Sequence, residues 1–342
     1  MAEPVLPTGK LPLEMLQRLL VCCTVEDPRV VVGARVGEDA AIIDLSDRFL
    51  VAKSDPITFA TDRIGWYAVH VNANDIATRG AAPRWMLATL LLPEGKATFA
   101  QAEGIMEQMA AAARGLGVSL VGGHTEVTYG LDRAIVVGHM LGEVAKDRLV
   151  TTGGARVGDA LVLAGAVAVE GTALIAREFG PEARARGVDE ETLAVARACL
   201  DKPGISVVRA ALLAVQTVRV HAMHDPTEGG VATGLHELAW ASGTGLRVDA
   251  ESIPILPACR RLCAAFGLDP LGLIASGALV MAVDPGDVAA LGEAYARAGI
   301  TWARIGEVRP AEEGVRLVRA GREMPLPRFD RDEVTRLLGA KP

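Results

Sequence analysis

Strand-length apolar runs alternate with helix-length amphipathic runs along this chain, and one stretch, Asp147-Arg148-Leu149-Val150-Thr151-Thr152-Gly153-Gly154, interrupts the pattern near the middle. Ahead of the break the spacing predicts a helix over Leu11 to Leu20, a buried strand over Phe49 to Ala52 that delivers Asp55 just past its end, and a helix over Ile64 to Thr78 with Val69, Ala73, Ile76 and Ala77 on one face. A strand over Trp85 to Leu92, a helix from its N-cap Thr98 to Arg114, and strands over Val118 to Val121 and Ala134 to Val144 complete that half. After the break come a strand over Ala160 to Leu163, helices near Gly171 to Phe179, Glu190 to Leu200 and Ile205 to Val215, and a strand over Val218 to Met223. A helix running through Ala241, a strand over Ala278 to Val283 and a helix over Val288 to Ala298 follow. Mixed strands and helices in both halves predict two α/β or α+β domains, 1–150 and 151–342, and 342 residues suffice for both.

Half of the chain is hydrophobic but only 4% is aromatic, which predicts an aliphatic core with helices held close to sheets by small residues. The net charge of −7 and the scatter of the arginines argue against nucleic acid as a partner. The opening Met1-Ala2-Glu3-Pro4 lacks the basic start and apolar run of a secretory signal, and no stretch reaches the ~18 apolar residues that span a bilayer. Cysteines 22, 23, 199, 259 and 263 form an odd, unpatterned set, as expected of reduced thiols in a cytoplasmic protein without a membrane partner. Cys259 and Cys263 share a helical face, and with no His or further Cys nearby they read as core packing.

Four acidic signatures sit beside glycine or small residues at element ends: Gly37-Glu38-Asp39-Ala40-Ala41, Lys53-Ser54-Asp55-Pro56, Asn72-Ala73-Asn74-Asp75 and Gly122-Gly123-His124-Thr125-Glu126. Oxygen-rich clusters of this kind suit Mg²⁺, which bridges one or two carboxylates to substrate phosphates. Asn72, Asp75 and Arg79 share one face of the Ile64 to Thr78 helix, and a carboxylate at the edge of a core must be paired or coordinate a metal. An internal Asp75 to Arg79 ion pair is the alternative reading there, as a solvated turn is for Gly37 to Ala41. Gly122 and Gly123, after a buried strand, would let backbone amides approach a phosphate. The run Asp225-Pro226-Thr227-Glu228-Gly229-Gly230 lies between a strand and a helix, whose N-terminal amides can bind an anion. A Walker P-loop is absent, because Gly9-Lys10 is followed by Leu11.

In order and context these motifs resemble the superfamily of aminoimidazole ribonucleotide synthetase, thiamine-monophosphate kinase, selenophosphate synthetase and the HypE-type hydrogenase-maturation dehydratase, from about Leu11 to Pro310. The chain is most similar to the HypE type through Gly9-Lys10-Leu11-Pro12, Asn74 to Ala81, Asp225 to Gly230 with Leu235-His236-Glu237-Leu238-Ala239, and Ala275-Ser276-Gly277. The resemblance implies a PurM-like two-domain subunit, an N-terminal α/β domain whose sheet helps build a homodimer, and ATP with Mg²⁺ near that interface. It implies Asp39, Asp55 and Asp75 as metal ligands, with Glu126 joining them. Lys10, Asp75 and His124 would be catalytic; Gly37, Asn72, Gly122, Gly123, Thr125, Asp225, Thr227, Gly229 and Gly230 would hold the nucleotide.

HypE-type chains end in Pro-Arg-Ile-Cys, whereas Pro327-Arg328-Phe329-Asp330 stands here with no cysteine after Cys263, and Glu228 stands where that type has Arg. The expected acceptor is therefore a free small molecule or a group on a carrier protein. The expected function is an ATP- and Mg²⁺-dependent enzyme that phosphorylates an amide or carbamoyl-type oxygen to activate it. A small-molecule kinase of the thiamine-monophosphate type and a non-catalytic nucleotide-binding scaffold are the alternatives.

Overall fold

The computed structural model describes residues 11, 13–23, 25–58 and 62–338. Its first half comprises α1 (Leu13–Leu20), β1 (Val30–Val32), β2 (Ala41–Asp44), β3 (Arg48–Ile57), α2 (Ile64–Ala77), β4 (Ala82–Pro93), α3 (Phe99–Leu116), β5 (Ser119–Thr128) and β6 (Ile135–Ala145). The second half begins with β7 (Ala160–Gly165), α4 (Val169–Glu178), α5 (Gly180–Ala185), α6 (Glu190–Ala198), α7 (Val208–Thr217), β8 (Val220–His224) and α8 (Gly230–Ser242). It continues through β9 (Gly245–Asp249), α9 (Pro257–Phe266), β10 (Ala278–Val283), α10 (Val288–Ala298), β11 (Trp302–Arg309), β12 (Val315–Arg319), β13 (Arg322–Pro325) and α11 (Thr335–Leu338).

Each half is built on one mixed sheet, so the chain has the α/β architecture expected. The first has strand order β1-β2-β3-β6-β4-β5 and the second β13-β12-β9-β11-β7-β10-β8. All neighbours are antiparallel except β4 with β5 and β9 with β12. β6 alternates buried and half-buried residues, the period-two signature of a sheet covered on one face. Its inward residues Val136, Met140 and Val144 pack with Ala73, Ile76 and Ala77 of α2 in one core. Gly138 permits this approach, since a Cβ there would lie 2.3 Å from Nδ2 of Asn72. β10 is buried along its whole length, because helices cover both faces of the second sheet. Leu279 and Met281 join the core shared with the first half, while Val280 and Ala282 face the core containing α4, α8 and α9.

Two strands run on where the sequence predicts that they stop. β3 continues through Asp55 because it pairs with β6 from Arg48 opposite Ala145 to Ile57 opposite Val136, so Asp55 is a strand residue. The expected glycine loop at Gly122-Gly123 is likewise part of β5, held in register by β4, and a Cβ on Gly123 would lie 1.9 Å from the carbonyl oxygen of Ala88. Pairing energy from the neighbour outweighs the poor strand propensity of glycine and aspartate. The two halves are joined by buried polar contacts as well as by the shared core. Asn74 donates to the carbonyl of Ile205 at 2.8 Å and accepts from the amide of Val207 at 2.8 Å.

Candidate active site

Between the halves lies a cavity of about 580 Å³, whose walls include Asp39, Lys53, Asp55, Asp75, His224, Asp225, Thr227 and Glu228. Asp39 enters from the turn before β2, Lys53 and Asp55 from alternate positions of β3, and Asp75 from the last turns of α2. His224 ends β8 and Asp225 follows it, so the second half supplies one wall.

Three cations hold Asp39, Asp55 and Asp75. Arg79 is fully buried and donates to Oε2 of Glu38 at 2.5 Å, Oδ2 of Asp39 at 3.1 Å and the carbonyl of Met223 at 2.8 Å. Nδ1 of His224 lies 2.9 Å from Oδ2 of Asp39, and its Nε2 lies 2.7 Å from Oε2 of Glu237. Nζ of Lys53 pairs with Oδ2 of Asp75 at 3.1 Å and Oδ2 of Asp55 at 3.6 Å. The alternative Asp75 to Arg79 pair does not form: Arg79 reaches back to Glu38 and Asp39, and Asp75 faces Lys53.

Burial sets the protonation of the cluster. It would raise Asp39, but His224, Arg79 and Lys53 hold that carboxyl well below the usual carboxylate range. Burial pushes Asp75 up to about 7, with Lys53 opposing. Asp225 is raised well above its ordinary value by burial and by the charges of Asp75 and Asp39. Burial disfavours the imidazolium of His224, yet Asp39 and Glu237 lift it to about 10.

A divalent cation fits this arrangement. Asp225 is 3% exposed, and among the described residues neither of its carboxylate oxygens has a hydrogen-bond partner. Such a buried group costs about 1–3 kcal/mol unless something pairs with it. One ligand atom each from Asp39, His224 and Asp225 lies within 4.8 Å of the others. With both ring nitrogens of His224 committed to carboxylates, the oxygens of Asp39, Asp225 and Asp75 are the ligand candidates, a donor set for a hard ion.

The remaining residues named from the sequence divide. Thr227 lines the cavity. The amides of Gly229 and Gly230, expected to be open to an anion, bond Oδ2 of Asp332 at 2.8 Å and the carbonyl of Thr227 at 3.1 Å. Asn72 is fully buried behind the wall, donating to the carbonyls of Ala68 at 2.9 Å and Asp55 at 3.3 Å. Gly37 packs on Ala241 of α8. Gly122, Gly123, His124, Thr125 and Glu126 lie on β5, away from the cavity wall, and His124 faces Glu126 at 3.4 Å with both side chains more than half exposed. Lys10 lies outside the described residues. Sequence reasoning passed over Lys53 and His224 as site residues, although both stood beside a motif aspartate.

The pH dependence follows from these shifts. Asp75 at about 7 and His224 at about 10 are both raised from ordinary values of 3.8 and 6.5. The stability that each contributes is complete below its unfolded pKa and is lost as pH rises through the folded one. Without metal, the melting temperature should fall between pH 6 and 9, and added Mg²⁺ should raise it more at pH 8 than at pH 6. Calorimetric scans in chelator and in Mg²⁺ check this; a melting temperature that rises with pH in chelator would contradict it.

Fold and cavity together define a two-sheet α/β protein with a carboxylate-lined cleft between its halves, suited to a divalent cation. Residues 37–144 match the model of the AIR synthase related protein N-terminal domain and residues 156–318 that of the C-terminal domain, so the chain belongs to the AIR synthase related proteins. It is 35% identical over 242 residues to the carbamoyl dehydratase HypE of Cupriavidus necator, an alignment covering 69% of this chain and 64% of that protein. The solved structure of hydrogenase maturation protein HypE in complex with ATP matches with a TM-score of 0.72 at 27% identity, covering 90% of this chain and 91% of that one. A HypE–HypF complex matches with a TM-score of 0.74 at 23% identity over 92% of this chain and 99% of that one, a likeness of fold. Among the described residues no helix is long and apolar enough to cross a membrane.

Proposed function

We propose that this chain is an ATP- and Mg²⁺-dependent enzyme that phosphorylates an amide or carbamoyl-type oxygen of a small molecule or carried group, activating that oxygen as a leaving group. The observation that carries the reading is Asp225, a buried carboxylate without a hydrogen-bond partner among the described residues, lining the same cavity as Asp39, Asp55 and Asp75. Family membership, the name of the Cupriavidus necator relative and the ATP-bound HypE structure support it. Mg²⁺, when bound, would neutralise charge developing on the transferred phosphoryl group. Asp39, Asp75 and Asp225 would hold the ion, with Arg79 and His224 fixing Asp39.

The active form is a homodimer built on β5. Among the described residues that strand pairs with β4 alone; it carries Val121 and Val127 at 54% and 59% exposure, and Tyr129, 85% exposed, follows its end, an apolar edge of the kind that second copies cover. His124, Thr125 and Glu126 lie on the same strand and so fall at that interface. Residues 1–150 and 151–342 are its two domains. The cytoplasm is its compartment, which suits the free cysteines Cys22 and Cys23.

Titration calorimetry with a non-hydrolysable ATP analogue tests the reading, followed by assays of ADP release with carbamoyl and amide acceptors. Binding should require Mg²⁺. Absence of binding with and without the ion would overturn the proposal, and an intact phosphorylated product would mark a kinase instead.

A further inference from the structure

The cavity wall carries Lys53, Arg133 and His224, and of these Lys53 is the one whose long side chain pairs with both Asp75 and Asp55. Its Nζ lies 3.1 Å from Oδ2 of Asp75 and 3.6 Å from Oδ2 of Asp55, and Asp39 also acts on it. The side chain is 20% exposed, so its attachment to the acids is only partly screened by water. Burial disfavours the ammonium, yet the three aspartates keep it charged throughout the physiological range. On the opposite wall Asp225 has no hydrogen-bond partner among the described residues. Lys53 thus places a mobile positive charge at the Asp55 and Asp75 end of the cavity.

We propose that the Lys53 ammonium is a built-in cation of this site, occupying a position that a divalent ion would otherwise take and yielding it when the ion and nucleotide enter. The inference rests on the metal reading of the cavity. Asp75 cannot give its charge fully to an ion while Lys53 shares it, so ion entry must displace the ammonium. The four-carbon stem gives it reach, and three donors on a compact charge suit it to a phosphate oxygen in the same cavity. Lys53 therefore weakens metal binding to the empty protein and makes the nucleotide's phosphates part of what the ion needs.

The test is calorimetric titration of Mn²⁺ into the parent protein, Lys53→Met and Lys53→Arg, without nucleotide and then with a non-hydrolysable ATP analogue. A unit charge a few Å from a divalent ion opposes it strongly even at an effective dielectric constant of about 20, so without nucleotide Lys53→Met should bind Mn²⁺ at least about tenfold more tightly than the parent. Lys53→Arg, which keeps the charge, should stay within about threefold of the parent on the same argument. In chelator Lys53→Met should melt below the parent, and Mn²⁺ should restore it. A Lys53→Met affinity equal to or weaker than the parent's overturns the proposal, because a purely structural lysine would lower stability without tightening the metal. Should Lys53→Met fail to fold, Lys53→Gln, which keeps a hydrogen bond to Asp75 without the charge, is read in the same way. Failure of the parent to bind Mn²⁺ even with nucleotide would overturn the metal reading itself. Binding by the parent with an unchanged Lys53→Met would overturn only the role of Lys53.

Discussion

Asp225→Asn is expected to abolish Mg²⁺-dependent nucleotide binding while raising the melting temperature of the metal-free protein. The two effects have one cause. Asp225 is buried, has no hydrogen-bond partner among the described residues, and is repelled by Asp75 and Asp39. The empty protein bears that cost, and the amide removes the charge while keeping the shape. The gain comes from removing a buried charge and its repulsion by Asp75 and Asp39, since the amide itself still needs partners. Loss of outer-shell partners alone weakens metal sites by about 10–100-fold, and a direct ligand should matter at least as much. Differential scanning calorimetry in chelator and nucleotide titration in Mg²⁺ measure both. An Asp225→Asn protein that melts lower and binds Mg-nucleotide like the parent would show that this carboxylate belongs to the fold and not to the site.

Arg79→Met should have the largest effect on stability of any substitution near the cavity. Removing the guanidinium leaves Glu38 and Asp39 without their shared cation and the carbonyl of Met223 without that donor. Breaking a buried pair in this way costs about 3–5 kcal/mol, because the remaining charge stays buried. Glu38 keeps the amides of Thr152 and Gly153, each at 3.2 Å, and Asp39 keeps His224, so the loss should fall short of unfolding. Arg79→Lys should recover only part of it, since a single ammonium cannot span three acceptors. The shift of the urea midpoint at pH 7 gives the figure, and a loss below about 1 kcal/mol would mean that the network is weak.

Much of the fold was legible in local pattern. Ile64 to Thr78 reads as a helix because Val69, Ala73, Ile76 and Ala77 recur at its period, and the structure closes α2 at Ala77. The acidic signatures were legible as one site because oxygen-rich clusters suit a hard cation, and the resemblance singled out Asp39, Asp55 and Asp75, all of which reach one cavity. Elsewhere local pattern misled for identifiable reasons. Gly122-Gly123 looked like a loop, yet β4 supplies the pairing that keeps it a strand. The Asp225 to Gly230 turn looked open to an anion, yet Asp332, 103 residues from Gly229, takes one of its amides.

The sequence by itself determined the alternation of strand and helix, the two halves, and the acids that stand at element ends, since each depends on neighbours within a few residues. Only the tertiary structure decided which charges meet. Arg79 could have paired with Asp75 four positions away, but closure of the halves brings Glu38, Asp39 and the carbonyl of Met223 to its guanidinium and leaves Asp75 to Lys53. His224 meets Asp39 across 185 residues, a separation with no local trace. Burial then fixes what each charge does, because an aspartate that water would ionise freely becomes, in a closed cavity, a group that must be paired, protonated or bound to an ion.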